Sequence, residues 1–256
     1  MNAAAPVGKR RVVCYNIPVP LDRKEGAVLP TRLLTPYQHH TGKLSRPVTL
    51  AVVSDLHDEP FEDLFPMMEG ADALLVPGDV SNRYRQSVSR GVAFLADAAR
   101  RLPTFFSVGN HETRQKEYRL LMDAIEETGV TVLVNRYVRF GEIWIGGWYD
   151  PEIVRQPDML EEFERLEGCK VLLCHKPDHY LKHVRGRDVD LVVAGHAHGG
   201  QIRVMGRGLY SPGQGLFPKY TRGVVDGRMI ISAGVGNPAR VPRWGNPCEM
   251  LLITLD

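Results

Sequence analysis

The sequence predicts an α/β fold in which two sheets pack together with helices outside. Three observations carry this. Eight short apolar runs are each bounded by Gly, Pro or charge, as suits strands buried on both faces. Segments of helical period lie between the earlier runs, and strand–helix alternation implies a layered α/β domain. The later runs follow one another with fewer helices between them, which calls for a second sheet.

The runs are VTLAVVSD (48–55), ADALLVPGD (71–79), TFFSVGN (104–110), IWIGGW (143–148), KVLLCH (170–175), LVVAGH (191–196), MIISAG (229–234) and EMLLITL (249–255). Between them, residues 84–101 place Val88, Val92, Leu95 and Ala99 at helical spacing. Residues 115–128 do the same with Tyr118, Leu121, Met122 and Ile125, and Gly129 stops the helix. Shorter helices are expected over 158–166 and 178–184. VVCYNIPVP (12–20) reads as an edge strand, because Pro18 and Pro20 do not fit a sheet centre. Gly26, Pro30, Pro36 and Gly42 mark residues 22–46 as a loop, with His39 and His40 exposed on it. One domain over 1–256 is expected, with 1–47 its atypical strand-and-loop start.

Composition narrows the function. With 43% hydrophobic and 24% charged residues, the chain is an ordinary globular protein. A net charge of +2 gives no case for a nucleic-acid binder, and 256 residues leave little room for a nuclease's added domain. Basic residues nevertheless crowd the last quarter, at Arg203, Arg207, Lys219, Arg222, Arg228, Arg240 and Arg243, either as a solvated face or as a patch beside an anionic substrate. Cys14, Cys169, Cys174 and Cys248 form no CxxC pair, which argues against a structural zinc site and for reduced thiols in a cytoplasmic setting. No apolar run reaches 18 residues, and the start makes a poor signal peptide, so neither a transmembrane helix nor export is expected.

The polar residues are more specific. Five runs carry metal-competent side chains at their C-terminal ends: Asp55 and His57; Asp79; Asn110 and His111; His175; His196 and His198. In open α/β sheets, ligands bind outside the carboxyl ends of the strands. Any one of these residues alone is a cap, a turn or a satisfied histidine. Eight together at one edge point to metal. Carboxylate, imidazole and amide oxygen without thiolate suit Mn, Fe(II) or Zn. So many ligands exceed one tetrahedral site and imply two ions, a pair that when about 3.5–4 Å apart clamps in-line displacement at phosphorus.

These blocks, Asp55-Leu-His57, Gly78-Asp79, Gly109-Asn110-His111-Glu112, His175 and Gly195-His196-Ala197-His198, resemble the ordered signature of the calcineurin-like metallophosphoesterases. The tail from Gly208 resembles one bacterial branch of phosphodiesterase-like enzymes, often membrane-associated, some related to hydrolases of lipid A precursors. The resemblance implies a four-layer α/β/β/α sandwich of two mixed sheets flanked by helices. It also implies two divalent ions, Mn2+ first, with Fe2+ or Zn2+ as alternatives. Asp55, His57 and His198 would hold the first ion and Asn110, His175 and His196 the second, with Asp79 bridging both. His111 would protonate the leaving oxygen or steady the phosphoryl group, and a metal-bridging hydroxide would attack phosphorus. The expected reaction is hydrolysis of a phosphodiester or pyrophosphate in a small phosphorylated substrate, such as a nucleotide-sugar or a lipid phosphate, with no stable nucleic-acid complex. The alternatives are phosphomonoesterase or protein-phosphatase-like activity, or a non-catalytic metal-binding scaffold for a protein partner. Two features depart from the family. Asn82 stands where many members have an Asp that orients the catalytic histidine. Many relatives of the branch also carry a membrane anchor at the start, which this chain does not show, so the expectation is a cytoplasmic protein at most peripheral to a membrane. Asp150, Gly199 and Gly200 are further candidates for supporting the site, and Arg83, Arg114, Lys219 and Arg222 for meeting phosphate.

Overall fold

A computed structural model describes residues 32–84, 89–211, 214–237 and 243–256. In chain order the strands of its two large sheets begin β1 (Arg32–His39), β2 (Val48–Val52), β3 (Ala73–Val76), β4 (Thr104–Phe106), β5 (Thr131–Val132), β6 (Arg136–Phe140), β7 (Ile143–Gly147), β8 (Cys169–Leu173) and β9 (Leu191–Ala194). Two small hairpins follow, β10 (Arg203–Val204) with β11 (Arg207–Gly208), and β12 (Tyr210–Ser211) with β13 (Gly215–Leu216). The last strands are β14 (Gly223–Val225), β15 (Met229–Ile231) and β16 (Cys248–Leu255). The first sheet runs β1-β16-β2-β3-β4-β5 and the second β14-β15-β9-β8-β7-β6. Both are mixed: β2 to β5 are parallel with β16 antiparallel to β2, and β7, β8, β9 and β15 are parallel with β6 and β14 antiparallel at the edges.

Side-chain alternation sorts the core into layers. Leu50, Val52, Leu75, Leu251 and Ile253 of the first sheet meet Ile145, Val171, Leu173, Val193 and Ile230 of the second. The intervening residues Ala51, Leu74 and Val76 face outward onto Phe94 and Leu95 of helix Ser89–Ala99 and Leu121 and Ile125 of helix Tyr118–Glu126. On the far side, Leu172, Val192 and Ile231 pack against Leu160, Phe163, Tyr180 and Val184. The result is the expected α/β/β/α sandwich. Each fully buried Leu, Ile or Phe contributes about 1.5–3 kcal/mol, and because the strands are buried on both faces they read as unbroken apolar runs.

The loop expected over 22–46 is corrected where it is described. Residues 32–39 form β1, an edge strand paired in parallel with β16 over its whole length. Pro36 lacks an N–H, which an edge strand tolerates on its open side. His39 is therefore buried and bonded through Nε2 to Asp190 O at 2.9 Å, whereas His40 is exposed as expected and paired with Asp256. The edge-strand reading of 12–20 and Cys14 lie outside the described residues. The other three cysteines are buried free thiols. Among the described residues no helix is long and apolar enough to cross a membrane.

Candidate metal centre

All eight residues singled out at the strand ends lie beyond the carboxyl edges of β2, β3, β4, β8 and β9, and seven of them are buried. Three sets have their ligand atoms within 4.8 Å of one another: Asp55, His57 and His198; Asp79, His175 and His196; and His57, Asp79 and His111. Asp79 Oδ2 reaches both main sets, 3.9 Å from His57 Nε2 and 3.1 Å from His175 Nε2. Asp55 Oδ1 is 3.7 Å from both His57 Nε2 and His198 Nε2, whose two nitrogens are 3.3 Å apart.

The backbone makes this convergence. Asp55, His57, Asp79, His196 and His198 all have left-handed φ, between 47° and 68°. For non-glycine residues this costs on the order of 1–3 kcal/mol each and is held only where the surroundings enforce it. β9 ends at Ala194, and left-handed turns around Ala197, not strand alternation, send the His196 and His198 rings to different sets. Close approach is set by glycine at two places. A Cβ on Gly78 would sit 2.4 Å from Gly109 N, and one on Gly195 would sit 1.9 Å from Ser54 Oγ and 2.3 Å from Asp55 Oδ2. Each would push two ligand-bearing loops apart.

Carboxylates and amides hold the loops. Asp55 accepts from Ser54 Oγ at 2.5 Å and, on both oxygens, from His196 N at 3.1 Å. His57 Nδ1 faces Ser81 O at 3.3 Å, which leaves Nε2 for the site. Glu112, fully buried, accepts from Asp79 N and Gly109 N at 2.8 Å and from Ser81 N and Ser81 Oγ at 2.9 Å. All its acceptor capacity is used, so it positions the loops and is not free to act as an acid or base. The signal was present as a Glu three residues after the N-cap position, the reach-back half of a capping box.

His111 N donates to Asp79 Oδ1 at 2.7 Å, and His111 Nδ1 accepts from Arg83 N at 3.2 Å. That donor keeps the ring's proton on Nε2 when neutral. Asn82 does not supply this contact: its Oδ1 accepts from Tyr84 N at 3.1 Å. Asp150, a candidate support for the site, caps the short helix Pro151–Val154 by accepting from Glu152 N. Arg222 is tied to Glu249, and Arg203 stitches its hairpin through Gly199 O and Thr221 Oγ1.

The electrostatics are those of a centre short of positive charge. Burial raises the Asp55 and Asp79 carboxyls, yet the histidines around them hold both well below the usual range. Burial lowers His175, but the Asp79 charge reverses this and pushes it up to about 9. Burial brings His111 and His196 down to about 4 and holds His198 well below its ordinary range. Asn110 Oδ1 and His175 Nδ1 are buried without a hydrogen-bond partner among the described residues. Buried polar atoms left orphaned around two carboxylates are costly unless a cation meets them, so the donor set fits divalent metal. Arg243 adds a residue that sequence reading left within a general basic patch. Its Nη2 bonds Gly236 O at 2.6 Å and lies 3.2 Å from His198 Nδ1, while its Nε and Nη1 are buried without partners among the described residues.

The family model for calcineurin-like phosphoesterases matches residues 48–200, which take in every candidate ligand. Among similar proteins, the uncharacterized protein YpbG of Bacillus subtilis is 26% identical over 84% of this chain and 86% of its own length. A metallophosphoesterase of Aquifex aeolicus is 27% identical over 86% of this chain and 90% of its own. The phosphodiesterase YaeI of Escherichia coli is 30% identical over 62% of this chain and 58% of its own. Against a metallophosphoesterase of Campylobacter jejuni the chain spans only 41% of the relative's length.

Proposed function

Because this chain belongs to the calcineurin-like phosphoesterases, metal-dependent hydrolases of phosphoric esters, we propose that it is a dinuclear enzyme cleaving a phosphodiester or pyrophosphate. Asp79 carries this reading: one carboxylate oxygen faces both ligand sets. Asp55, His57 and His198 would hold one ion, Asn110, His175 and His196 the other, and Asp79 both. When bound, the two divalent ions would lower the pKa of coordinated water and neutralise charge on the phosphoryl group.

The chain's own groups supply the rest. Charged at neutral pH, Asp55 and Asp79 make the centre cation-seeking. Ser54 fixes the Asp55 carboxylate, His111 N fixes that of Asp79, and Glu112 holds the Asp79 main chain. His111, neutral and with Nδ1 occupied by Arg83 N, would present Nε2–H as a hydrogen-bond donor that steadies the phosphoryl group and the charge growing on the leaving oxygen, without giving up the proton. Arg243 would give its two unpartnered donors to a phosphoryl oxygen, restoring hydrogen bonds that burial denies it. The likeness to a named phosphodiesterase supports a diester, and the substrate we propose is a small phosphorylated molecule such as a nucleotide-sugar or lipid phosphate. Mn2+ is the first metal to try, and the buried free thiols suit a reducing, cytoplasmic setting.

Purified protein loaded with Mn2+ should hydrolyse bis-p-nitrophenyl phosphate faster than p-nitrophenyl phosphate. No turnover of either with any divalent ion, at full metal loading, would overturn the proposal.

A further inference from the structure

Beyond the metal centre, the paired hairpins β10–β11 and β12–β13 form a unit that the hydrolytic reading does not use. They are joined through Leu209, whose N–H bonds Ile202 O at 2.8 Å and whose carbonyl accepts from Phe217 N at 2.9 Å. Trp244 is attached to the same unit, its carbonyl accepting from Arg203 N at 2.8 Å. The unit lies against the metal-ligand loop. A Cβ on Gly200 would come within 2.6 Å of Gly208 Cα, and Ser211 Oγ donates to Ala197 O at 3.1 Å.

Its surface is unusual in two ways. Large apolar side chains stand out into solvent: Met205 is 99% exposed, Phe217 78%, Leu216 73%, Trp244 65% and Tyr210 50%. Met205 and Phe217 also have left-handed backbone, φ 48° and 52°. Met205-Gly206 is the two-residue turn of β10–β11, where Asn or Asp is the favoured first residue. A methionine there is exposed and strained, so neither folding nor solubility explains it. The second feature is charge. Arg207 is exposed on the first hairpin and Lys219 just past the second. Between Asp190 and Glu249 the sequence has one acid, Asp226, and Arg185 pairs with it.

We propose that this apron docks on an anionic lipid surface, with Met205, Leu216, Phe217 and Trp244 entering the boundary between headgroups and acyl chains and Arg207 and Lys219 meeting headgroup phosphate. Exposed apolar patches mark interaction sites. Apolar and aromatic residues interspersed with cations, without acids, match the chemistry of an anionic interface. Docking there would bring the mouth of the metal centre to the membrane face.

The test uses the full chain, metal-free, with vesicles of phosphatidylcholine alone or with phosphatidylglycerol at a 7:3 ratio. Because no turnover is read, its failure leaves the phosphoesterase proposal standing, and the reverse holds too. The protein should sediment with the anionic vesicles at least tenfold more than with the neutral ones, and less at high salt. Trp244 fluorescence should shift to the blue and be quenched by brominated lipid, since Trp148 is buried and Trp144 half-buried. Met205→Asn with Phe217→Asn should abolish binding; asparagine takes left-handed backbone readily, so the hairpins are retained. Absence of binding to anionic vesicles at low salt would overturn the proposal. So would binding unchanged in the double variant, or self-association in solution that the double variant dissolves.

Discussion

The backbone N–H of His196 donates to both carboxylate oxygens of Asp55, at 3.1 Å each. Asp55 follows β2 of one sheet and His196 follows β9 of the other, so this contact ties the two sheet edges together at the centre. It also fixes the Asp55 carboxylate by main chain, which a change of rotamer at His196 cannot disturb. His196→Ala should therefore remove one ligand while leaving Asp55 in place. Its metal content should fall by one ion per chain, and the other ion should stay, as measured by elemental analysis after dialysis.

Asp79 is the shared group, and its loss should affect both sets. Asp79→Asn keeps the shape but removes the charge that both histidines face. Activity should fall by at least about 10³-fold, with both ions weakened. Circular dichroism should show the fold retained, because the buried sandwich lies between and outside the sheets rather than at their edges.

Glu112 supports the loops through four hydrogen bonds. Glu112→Gln turns one acceptor oxygen into a donor facing N–H groups, which should cost about 1–3 kcal/mol. Metal affinity should fall roughly 10- to 100-fold, the range for groups that orient ligands. Thermal melts of the metal-free variant and Mn2+ titration separate the two effects. Unchanged affinity together with an unchanged melt would remove Glu112 from the site's support.

Metal uptake should release a proton. His175, raised to about 9 by Asp79, is charged at pH 7.5 in the metal-free protein and must be neutral to bind metal. Its raised value stabilises the metal-free fold fully below about pH 6.5, and that stabilisation is lost as pH rises through about 9. Metal affinity should accordingly rise between pH 6.5 and 9. Calorimetry in buffers of different ionisation enthalpy would count the proton, and His175→Asn should abolish that proton.

His111 and Arg243 are distinguished by kinetics. His111→Gln should leave metal content unchanged and lower kcat by about 10²- to 10³-fold, the range for removing one donor to developing charge, and more for an alkyl than for a nitrophenyl leaving group, which needs less charge stabilisation. Arg243→Gln should act chiefly on KM and on inhibition by inorganic phosphate.

Much of this was legible in the sequence because buried parallel strands announce themselves. VTLAVV, LLVPGD and VVAGHAH each show both the strand and the polar residues that end it. What was hidden depends on partners far along the chain. β1 pairs with β16 more than 200 residues away, and its Pro36 imitates a turn. Left-handed φ at five candidate ligands leaves no mark in residue type. The path of His196 and His198 is one such case, because β9 ends at Ala194, two residues before the first of them. Asn82 stood at the position from which a relative's Asp would orient His111, but a backbone amide, that of Arg83, has that task here. Arg243 looked like surface charge because only the fold brings it 3.2 Å from His198.

The most direct measurement is stepwise Mn2+ addition to metal-free protein, with bound metal and bis-p-nitrophenyl phosphate hydrolysis followed on the same samples. The expected result is two Mn2+ per chain, with activity reaching its plateau only as the second ion binds. Saturation at a single ion with full activity, or turnover without any metal, would contradict the shared-Asp79 centre.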